Sequence, residues 1–516
     1  MSSPKHDSNN LPSYGAIHPM DEHNEVLLSN VHPPQWNNPS PKGRYNLVVV
    51  GAGTAGLVAA AGAAGLGAKV ALIERHLMGG DCLNVGCVPS KSIISSARCA
   101  ALINRASEFG LNVQGEPQVD FPAVMERVRK IRADISGHDS AQRFSSLGVD
   151  VFIGHGRFES SSSISVAGSQ LKFKKAVIAT GARAEIPSID GLAEARCLSN
   201  ENVFNLTQLP RRLAVIGAGP IGCELAQTFQ RLGSSVTLLN NQQRIMPRED
   251  SDAAELLQKT FIREGINLLL NSEVLRVEKS DGGKLVHYAL EGKESSIEVD
   301  EILIGVGRTP NVDGLNLEAA NVKYDSRKGV IVDDNLRTSN PSIFAAGDIC
   351  MKYKFTHAAD FAARIVIQNA LFFGRKKLSA LTIPWCTYTS PEIAHVGLSQ
   401  HDANNRGIAI ETYRRDLADV DRAIADGETA GFVKIHCKRG SDQILGATIA
   451  AAHAGEMISE INLAMVNKIG LGKLANVIHP YPTQAEAIRQ LGDQYNRTRL
   501  TPLIKSLFNA ILKITR

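Results

Sequence analysis

Residues 47–74 read LVVVGAGTAGLVAAAGAAGLGAKVALIE, and residues 213–240 read LAVIGAGPIGCELAQTFQRLGSSVTLLN. The two stretches align without a gap, and their glycines coincide: Gly51, Gly53 and Gly56 in the first copy, Gly217, Gly219 and Gly222 in the second. An apolar strand, a glycine turn and a helix form the dinucleotide-binding fingerprint, because the glycines let the backbone approach a pyrophosphate. The repeat predicts two bound dinucleotides and hence an electron-relay enzyme. A second copy that binds nothing is the alternative.

The two copies differ at their last residue. Glu74 closes the first copy, where a carboxylate accepts a hydrogen bond from a ribose hydroxyl. Asn240 takes that place in the second copy, and Arg244 and Arg248 follow it. Because no acid stands there to repel a 2′-phosphate, the pattern favours NADPH over NADH. Both arginines could instead be surface residues.

A second motif lies just after the first fingerprint. Residues 79–91 read GGDCLNVGCVPSK, so Cys82 and Cys87 are separated by four residues. Two cysteines at this spacing can close a small disulfide loop at the start of a helix, where backbone amides lower a thiol pKa. A pair of structural cysteines and half of a zinc site are the alternatives. Zinc sites usually have a second ligand pair nearby, and none follows here.

Several strand-to-turn segments are further candidates for nucleotide binding. Each is an apolar run that ends in glycine or a small polar residue, and Asp348 could accept a hydrogen bond from a ribityl hydroxyl. The cofactor-binding candidates outside the fingerprints are Gly80, Gly156, Thr180, Gly181, Gly307, Gly347 and Asp348.

Length and composition set broad limits. The 516 residues suffice for roughly three domains, and the net charge of +4 points to no nucleic-acid partner. The eight cysteines are too sparse for a disulfide scaffold, which suits a reducing compartment, and no secretory signal is recognisable. We therefore expect a cytoplasmic protein.

The two ends of the chain differ from its middle. Residues 1–43 contain seven prolines and little apolar periodicity, so we expect a disordered or extended arm, with Trp36 docking on the body. Residues 497–516 repeat apolar side chains at helical spacing among five cations. This basic amphipathic helix could pack on its own body, on a partner subunit or, peripherally, on an anionic membrane.

Together these motifs resemble the class I pyridine nucleotide-disulfide oxidoreductases, which include glutathione reductase, lipoamide dehydrogenase and mercuric reductase. The resemblance covers residues 44–492 and implies an α/β fold with two Rossmann-like domains and a C-terminal α+β dimerisation domain. The implied boundaries are 44–195 and 313–379 for the FAD-binding domain, 196–312 for the NAD(P)H-binding domain, 380–492 for the dimerisation domain and 493–516 for the terminal helix. The resemblance also implies FAD, NAD(P)H and a homodimer.

The resemblance assigns roles to individual residues. Cys87 would be the thiolate next to the flavin, and Cys82 would exchange electrons with the acceptor. Lys91 would lie beside the flavin and pair with Glu224, and Glu486 closes the Pro-Thr-x-x-Glu motif near the C-terminus. Electrons would pass from NAD(P)H through FAD and the dithiol to an acceptor. No permanently bound metal is implied.

One position departs from the disulfide reductases. They carry His directly before Pro-Thr-x-x-Glu, whereas here Tyr481 stands there and His479 lies two residues earlier. Tyr at this place is similar to mercuric reductase, which implies that a substrate ion such as Hg(II) could meet Cys82, Cys87 and Tyr481. The C-terminal cysteine pair of mercuric reductases is absent. A disulfide reductase that uses His479, a lipoamide dehydrogenase and a membrane-surface quinone reductase are the alternatives.

Overall fold

The computed structural model describes residues 17–113 and 118–516. The chain divides into two compact units. The first comprises the described residues up to Gly217, together with Thr228–Leu239 and Glu273–Leu381. The second comprises Ala218–Gln227, Asn240–Ser272 and Thr382–Arg516. The domain boundaries inferred from the sequence stay predictions.

A seven-stranded sheet forms the centre of the first unit. Its spatial order is Val149–Ile153, Val70–Glu74, Arg44–Val50, Ser169–Ile178, Ser163–Val166 and Arg157–Ser160, with Ile343–Ala345 also paired to Ser169–Ile178. The first four strands and Ile343–Ala345 run parallel. Ser163–Val166 pairs antiparallel with Ser169–Ile178, and Arg157–Ser160 pairs antiparallel with Ser163–Val166. Parallel strands are buried on both faces, which explains the continuous apolar runs at 47–50 and 70–73.

Helices of the first unit cover this sheet and carry the cysteine motif. Thr54–Gly65 packs against Thr356–Leu371. The other helices of four or more residues, outside the N-terminal segment, are Gly80–Asn84, Cys87–Asn104, Ala106–Phe109, Phe121–Ser136 and Ala141–Ser146. The predicted order of strand, glycine turn, helix and strand is present in the first repeat.

The second repeat builds another parallel sheet. Arg212–Ile216 pairs with Ser235–Asn240 on one side and with Glu301–Ile304 on the other. Three antiparallel strands follow it in the chain, Ser272–Ser280, Gly283–Leu290 and Lys293–Val299. Two small strand pairs complete the unit: Ala182–Ala184 with Arg308–Pro310, and Tyr324–Asp325 with Gly329–Val330.

The second unit contains a five-stranded antiparallel sheet. Its order is Trp385–Thr387, Glu392–Gly397, Ile444–Ala451, Phe432–Lys438 and Ile410–Asp416. An apolar core joins this sheet to the helices Ala454–Val466, Leu471–Leu474 and Glu486–Thr498. The helices Ser251–Arg263, Gln400–Asn405 and Asp421–Ala425 and the strand Asn267–Leu270 also lie in this unit, and the helix Pro220–Arg231 begins in it. The mixed α/β class predicted from the sequence is confirmed.

The N-terminal segment differs from the expectation. Glu22–Val31 is a helix, capped by Asp21, rather than part of a disordered or extended arm. Its residues Asn24, Leu27 and Val31 are buried, so tertiary contacts stabilise a helix that has little apolar periodicity of its own. Trp36 Nε1 donates to Val151 O, 3.1 Å away. The prediction for residues 1–16 lies outside the described residues.

The C-terminal helix forms as predicted, over Pro502–Ile514. None of its residues is buried, so packing on its own body is not observed. Throughout the described part of the chain, no helix combines the length and the apolar character needed to cross a membrane.

Candidate active site

The two cysteines of the Cys-x4-Cys motif lie side by side in the first unit. A hydrogen bond between their side chains, together with burial, raises the pKa of Cys82 far above its usual range. Cys87 begins the helix Cys87–Asn104, where unpaired backbone amides favour a negative charge. Its Sγ also lies 3.3 Å from Thr356 Oγ1. This geometry favours a thiolate at Cys87 and a thiol at Cys82.

Glycines from separate segments approach each other around the first fingerprint turn. Gly51 has φ +103°, and a Cβ there would lie 2.4 Å from Ala179 O. A Cβ on Gly80, which directly precedes the cysteine motif, would lie 2.6 Å from the Cα of Gly53. These close backbone approaches form a cradle at the N-terminus of the helix Thr54–Gly65. The cradle fits a dinucleotide pyrophosphate, because backbone amides and the helix dipole attract its charge.

The other residues predicted for this cofactor follow neighbouring parallel strands. The carboxyl ends of parallel strands meet at one edge of a sheet, which is where such folds bind nucleotides. Gly156 follows Val149–Ile153, Thr180 and Gly181 follow Ser169–Ile178, and Gly347 and Asp348 follow Ile343–Ala345. The fold therefore brings the predicted set to one edge. Gly56 has a packing role, since its Cβ would lie 1.8 Å from Gly51 O.

Glu74 supports the fingerprint turn through its carboxylate. Its two oxygens accept hydrogen bonds from Ala52 N at 2.7 Å and from His76 N at 2.8 Å. Burial raises the pKa of Glu74 despite these two donors. A carboxylate can accept further hydrogen bonds, so these contacts leave capacity for a ribose hydroxyl.

An ion cluster of Arg308, Asp81 and Asp348, which the sequence did not reveal, joins the cysteine motif to the turn after the strand Ile343–Ala345. Arg308 is paired with Asp81, which precedes Cys82, and its Nε lies 3.4 Å from Asp348 Oδ2. Burial acts to lower the pKa of Arg308, but Asp81 and Asp348 outweigh it and raise that pKa. Burial raises the pKa of Asp348. The only sequence signal was the position of Arg308 after Gly307, directly beyond an apolar strand.

The second fingerprint reproduces the backbone of the first. Gly217 has φ +103°, like Gly51, and a Cβ on it would lie 2.7 Å from Gly305 O. Cys223 N donates to Gly219 O at 2.9 Å, where the first copy has Leu57 N and Gly53 O at the same distance. Gly222 lies in the helix Pro220–Arg231 that follows. The turn is therefore shaped for a dinucleotide as well.

The second fingerprint ends in the neutral Asn240, and the cation Arg244 follows it. Asn240 is buried, and its Nδ2 donates to Gln242 O and to Arg244 O, at 3.3 and 3.0 Å. Arg244 Nη2 donates to Pro247 O at 3.0 Å. Asn240 thus shapes the loop that carries Arg244. Gly307 lies in the first unit, and a Cβ there would be 2.6 Å from Glu185 Oε2.

Lys91 and Glu224 belong to different units. Lys91 is half-buried on the helix Cys87–Asn104, one turn after Cys87. Glu224 is buried, and its Oε1 accepts a hydrogen bond from Tyr388 N at 2.8 Å. Their direct pairing stays a prediction.

The C-terminal candidates each have a separate partner in the second unit. Tyr481 is 71% exposed, and its hydroxyl donates to Asp421 Oδ2 at 2.8 Å, which raises the pKa of Tyr481. His479 Nε2 lies 3.0 Å from Glu460 Oε1. Glu486 forms an ion pair with Arg489 at 2.8 Å. Asp421 and Glu460 were not identified from the sequence, because they lie on separate helices, Asp421–Ala425 and Ala454–Val466.

Comparison with known families identifies the chain. Residues 45–363 match the pyridine nucleotide-disulphide oxidoreductase model, and residues 383–491 match the dimerisation domain of the same family. The chain belongs to the pyridine nucleotide-disulphide oxidoreductases. This oxidoreductase therefore uses FAD and a pyridine nucleotide, and its C-terminal domain supports a homodimer. The resemblance noted in the sequence is confirmed.

Relatives of this oxidoreductase carry several names. It is 34% identical to mercuric reductase from Bacillus cereus, over 86% of this chain and 70% of that protein. It is 35% identical to dihydrolipoyl dehydrogenase from Chlamydia muridarum, over 86% of this chain and 95% of that protein. Among solved structures it is similar to RclA from Escherichia coli, an HOCl-induced flavoprotein disulfide reductase. That similarity has a TM-score of 0.78 and 27% identity, and covers 87% of this chain and 99% of RclA.

Proposed function

We propose that this oxidoreductase passes electrons from NADPH through FAD and the Cys82–Cys87 pair to a thiol-binding metal ion such as Hg(II) or Cu(II). The observation that carries the proposal is the shared hydrogen bond of the two Sγ atoms beside the glycine cradle. Paired thiolates are preferred ligands of soft metal ions. Two relatives agree with this acceptor class: one is named mercuric reductase, and RclA has a structure described as a Cu(II) complex.

The chain's own residues divide the chemistry between the two sulfurs. When bound, FAD supplies the two electrons that it takes from NADPH as hydride. Two electrons and two protons convert the Cys82–Cys87 disulfide to two thiols. The helix amides and Thr356 Oγ1 stabilise the thiolate that Cys87 forms on losing a proton. Cys82 keeps its proton until an acceptor ion displaces it, because thiolate ligation releases protons.

Tyr481 suits a metal acceptor better than a disulfide. Reduction of a disulfide breaks an S–S bond and releases a thiolate that needs a proton from the enzyme. A thiol-bound Hg(II) also releases thiolates, but these can take the protons that Cys82 and Cys87 lose when they bind the ion, so no separate acid is needed. The hydroxyl of Tyr481 donates to Asp421 and has a raised pKa, so it is a poor base at neutral pH. We assign Tyr481 to positioning of the acceptor.

The preference for NADPH rests on Asn240 and Arg244. A neutral side chain at position 240 does not repel a 2′-phosphate, and Arg244 lies on the loop that Asn240 shapes. Asn240→Asp should therefore shift the ratio of NADPH to NADH efficiency towards NADH by about tenfold. Steady-state kinetics with both nucleotides measures this ratio. Arg263→Ala is the control, because Arg263 is exposed at the end of the helix Ser251–Arg263 and outside this loop. An unchanged ratio in Asn240→Asp would contradict the assignment.

Acceptor-dependent oxidation of NADPH by the purified flavoprotein tests the main proposal. The acceptors are Hg(II) with excess thiol, Cu(II), oxidised glutathione, lipoamide and a soluble quinone. Metal-ion turnover should disappear in Cys82→Ser and persist in Cys99→Ser, which changes an exposed cysteine on the helix Cys87–Asn104. Faster turnover of a disulfide than of either metal ion, with the same dependence on Cys82, would replace the metal acceptor with a disulfide.

A second candidate, reduction of a small disulfide, is favoured by one observation. His479 and Glu460 form a pair whose imidazole side chain is 5% exposed, and such a pair can serve as acid and base. His479→Gln should then reduce disulfide turnover and leave metal-ion turnover unchanged. The named relatives equally include dihydrolipoyl dehydrogenase. Dihydrolipoamide oxidation with NAD⁺ is the test for that activity.

The C-terminal helix suits peripheral contact with an anionic membrane. The apolar arc of this helix comprises Leu503, Ile504, Leu507, Phe508, Ile511 and Leu512, all exposed except the half-buried Ile504. Residues 497–516 contain five cations and no acid: Arg497, Arg499, Lys505, Lys513 and Arg516. Such a helix, about 20 Å long, can lie in a lipid surface. We propose this contact for a protein that is otherwise cytoplasmic, as its sparse cysteines suggest. A quinone could then be the acceptor.

Vesicle co-sedimentation of the full chain tests the membrane contact. Replacing Ile504 and Phe508 by Asp puts two charges into the apolar arc and should abolish binding to anionic vesicles. The matched control puts two Asp residues at Ser506 and Asn509 on the polar face, which changes the net charge equally. Equal loss in both variants would mean that charge alone drives binding, and absent binding of the parent would refute the contact.

A further inference from the structure

The N-terminal helix Glu22–Val31 contacts the segment that carries the two cysteines. It precedes the residues that match the family, which begin at 45. Val31 O accepts a hydrogen bond from Met78 N at 3.0 Å. Met78 is buried and directly precedes Gly79 and Gly80. The end of this helix therefore holds the backbone at the start of the cysteine motif.

A chain of buried hydrogen bonds connects the same helix to the residue midway between the cysteines. Arg132 Nη2 donates to Asn24 Oδ1 at 2.5 Å, and Arg132 Nη1 donates to Asn84 O at 3.0 Å. Asn84 Nδ2 in turn donates to Met78 O and Gly80 O, at 3.0 and 2.9 Å. The exposed fractions of Asn24, Arg132 and Asn84 are 0%, 3% and 4%. These hydrogen bonds are therefore shielded from solvent.

Other contacts anchor the helix independently of the hydrogen bonds through Arg132. Asp21 caps the helix and pairs with Arg129 Nε at 2.5 Å. Asn30 Nδ2 donates to Ser136 Oγ at 2.8 Å. Further along, Asn38 exchanges two hydrogen bonds with the backbone of Ile153 on the edge strand of the sheet. Asn24 Nδ2 also donates to Pro19 O at 2.7 Å. Loss of the two side-chain contacts of Asn24 still leaves the segment attached through Asp21, Asn30 and Asn38, so the effect on the cysteines can be measured separately.

We propose that the N-terminal helix positions the Cys82–Cys87 pair, and that Asn24 is a positioning residue that acts through Arg132 and Asn84. Asn24 Oδ1 accepts a hydrogen bond from Arg132 Nη2, and this contact keeps Nη1 of the same guanidinium in place to donate to Asn84 O. A buried donor that loses its acceptor seeks another one, because an unsatisfied buried group is costly. Without Asn24, Arg132 would shift and release Asn84 O. The backbone between the two sulfurs would then move.

This inference rests on the proposed redox role of the pair, so the readouts are chosen to separate the two. The first is the long-wavelength charge-transfer absorbance of the NADPH-reduced holoenzyme, which reports the thiolate beside the flavin. The second is the pH dependence of Cys82 alkylation, followed by peptide mass spectrometry. The third is ferricyanide reduction, which can take electrons without the dithiol. If the parent enzyme shows no charge-transfer band, the proposed redox role fails, whatever the Asn24 variants do.

Asn24→Ala removes the acceptor, and Asn30→Ala is the matched control on the same helix. We expect Asn24→Ala to lose about half of the charge-transfer absorbance and to move the alkylation midpoint by about half a pH unit. Ferricyanide reduction should stay at the parental rate. Asn30→Ala should match the parent in all three readouts. Asn24→Asp keeps an acceptor for Arg132 and should restore the band.

Two outcomes would overturn the inference. A parental band and alkylation profile in Asn24→Ala would show that the cysteines do not depend on this residue. Equal changes in Asn24→Ala and Asn30→Ala would show that only general attachment of the helix matters. If Asn24→Ala does not fold, Asn24→Ser serves in its place, because its hydroxyl is one bond too short to reach the guanidinium.

Discussion

Replacement of Arg308 by Gln should destabilise the oxidoreductase more at alkaline than at acidic pH. Arg308 is the cation between Asp81 and Asp348, and its removal leaves two carboxylates close together. Removing one partner of a fully buried pair costs about 3–5 kcal/mol. Here the side chains of Asp81 and Asp348 are 33% and 22% exposed. We therefore expect a smaller loss, roughly 2–3 kcal/mol at pH 8.

The pH dependence follows from the direction of one pKa. Burial already raises the pKa of Asp348, and Arg308 is the strongest opposing influence. Without Arg308 that pKa rises further, so the folded state binds a proton that the unfolded state has released. A raised carboxyl pKa costs stability above it, and the cost disappears as the pH falls through the unfolded value. The variant should therefore regain part of its stability near pH 5.

Thermal unfolding followed by flavin fluorescence at several pH values measures this effect. Arg337→Gln is the matched control, because Arg337 pairs with Asp333 at 3.2 Å in the same unit but is 50% exposed. Surface ion pairs of that kind add little to the free energy of unfolding, so the control should unfold at the same temperature as the parent at each pH. A loss in Arg308→Gln that equals the control, or that grows as the pH falls, would refute the reasoning.

Three other changes test separate parts of the site. Cys87→Ser should abolish the long-wavelength charge-transfer absorbance of the reduced enzyme, and a persisting band would mean that another thiolate lies beside the flavin. Gly80→Ala should weaken FAD retention by at least about tenfold, because its Cβ would lie 2.6 Å from the Cα of Gly53; full flavin content after gel filtration would contradict this. Tyr481→Phe should slow metal-ion turnover more than quinone turnover in steady-state assays, and equal effects would remove Tyr481 from acceptor handling.

Local patterns in the sequence predicted those features that depend on local backbone geometry. The repeated fingerprint predicted two turns of the same shape, and Gly51 and Gly217 both have φ +103°. The spacing of Cys82 and Cys87 predicted a pair at the start of a helix; Cys87 does begin the helix Cys87–Asn104, whereas Cys82 lies in the separate short helix Gly80–Asn84. Such features are readable because glycine frequency, apolar runs and cysteine spacing act over a few residues.

Features that depend on distant side chains could not be predicted in this way. Arg308 and Asp81 are 227 positions apart, and no local rule pairs them. The N-terminal helix was mistaken for an extended or disordered arm because its stability comes from partners such as Arg129 and Arg132, more than 100 positions away. The Glu460 partner of His479 is likewise set by the packing of two helices.

The chemistry of Tyr481 and of the Cys82–Cys87 pair can be compared with what each kind of acceptor requires. An enzyme that reduces disulfides must protonate a leaving thiolate, so it needs a base or acid with a pKa near neutrality beside its thiols. The hydroxyl of Tyr481 donates a hydrogen bond to Asp421, which raises the pKa of Tyr481 further from neutrality. A metal ion needs only sulfur ligands and electrons, two for each Hg(II) and one for each Cu(II). Under the proposed function the thiol pair would supply the ligands and bound flavin the electrons, so metal reduction would need no His at position 481.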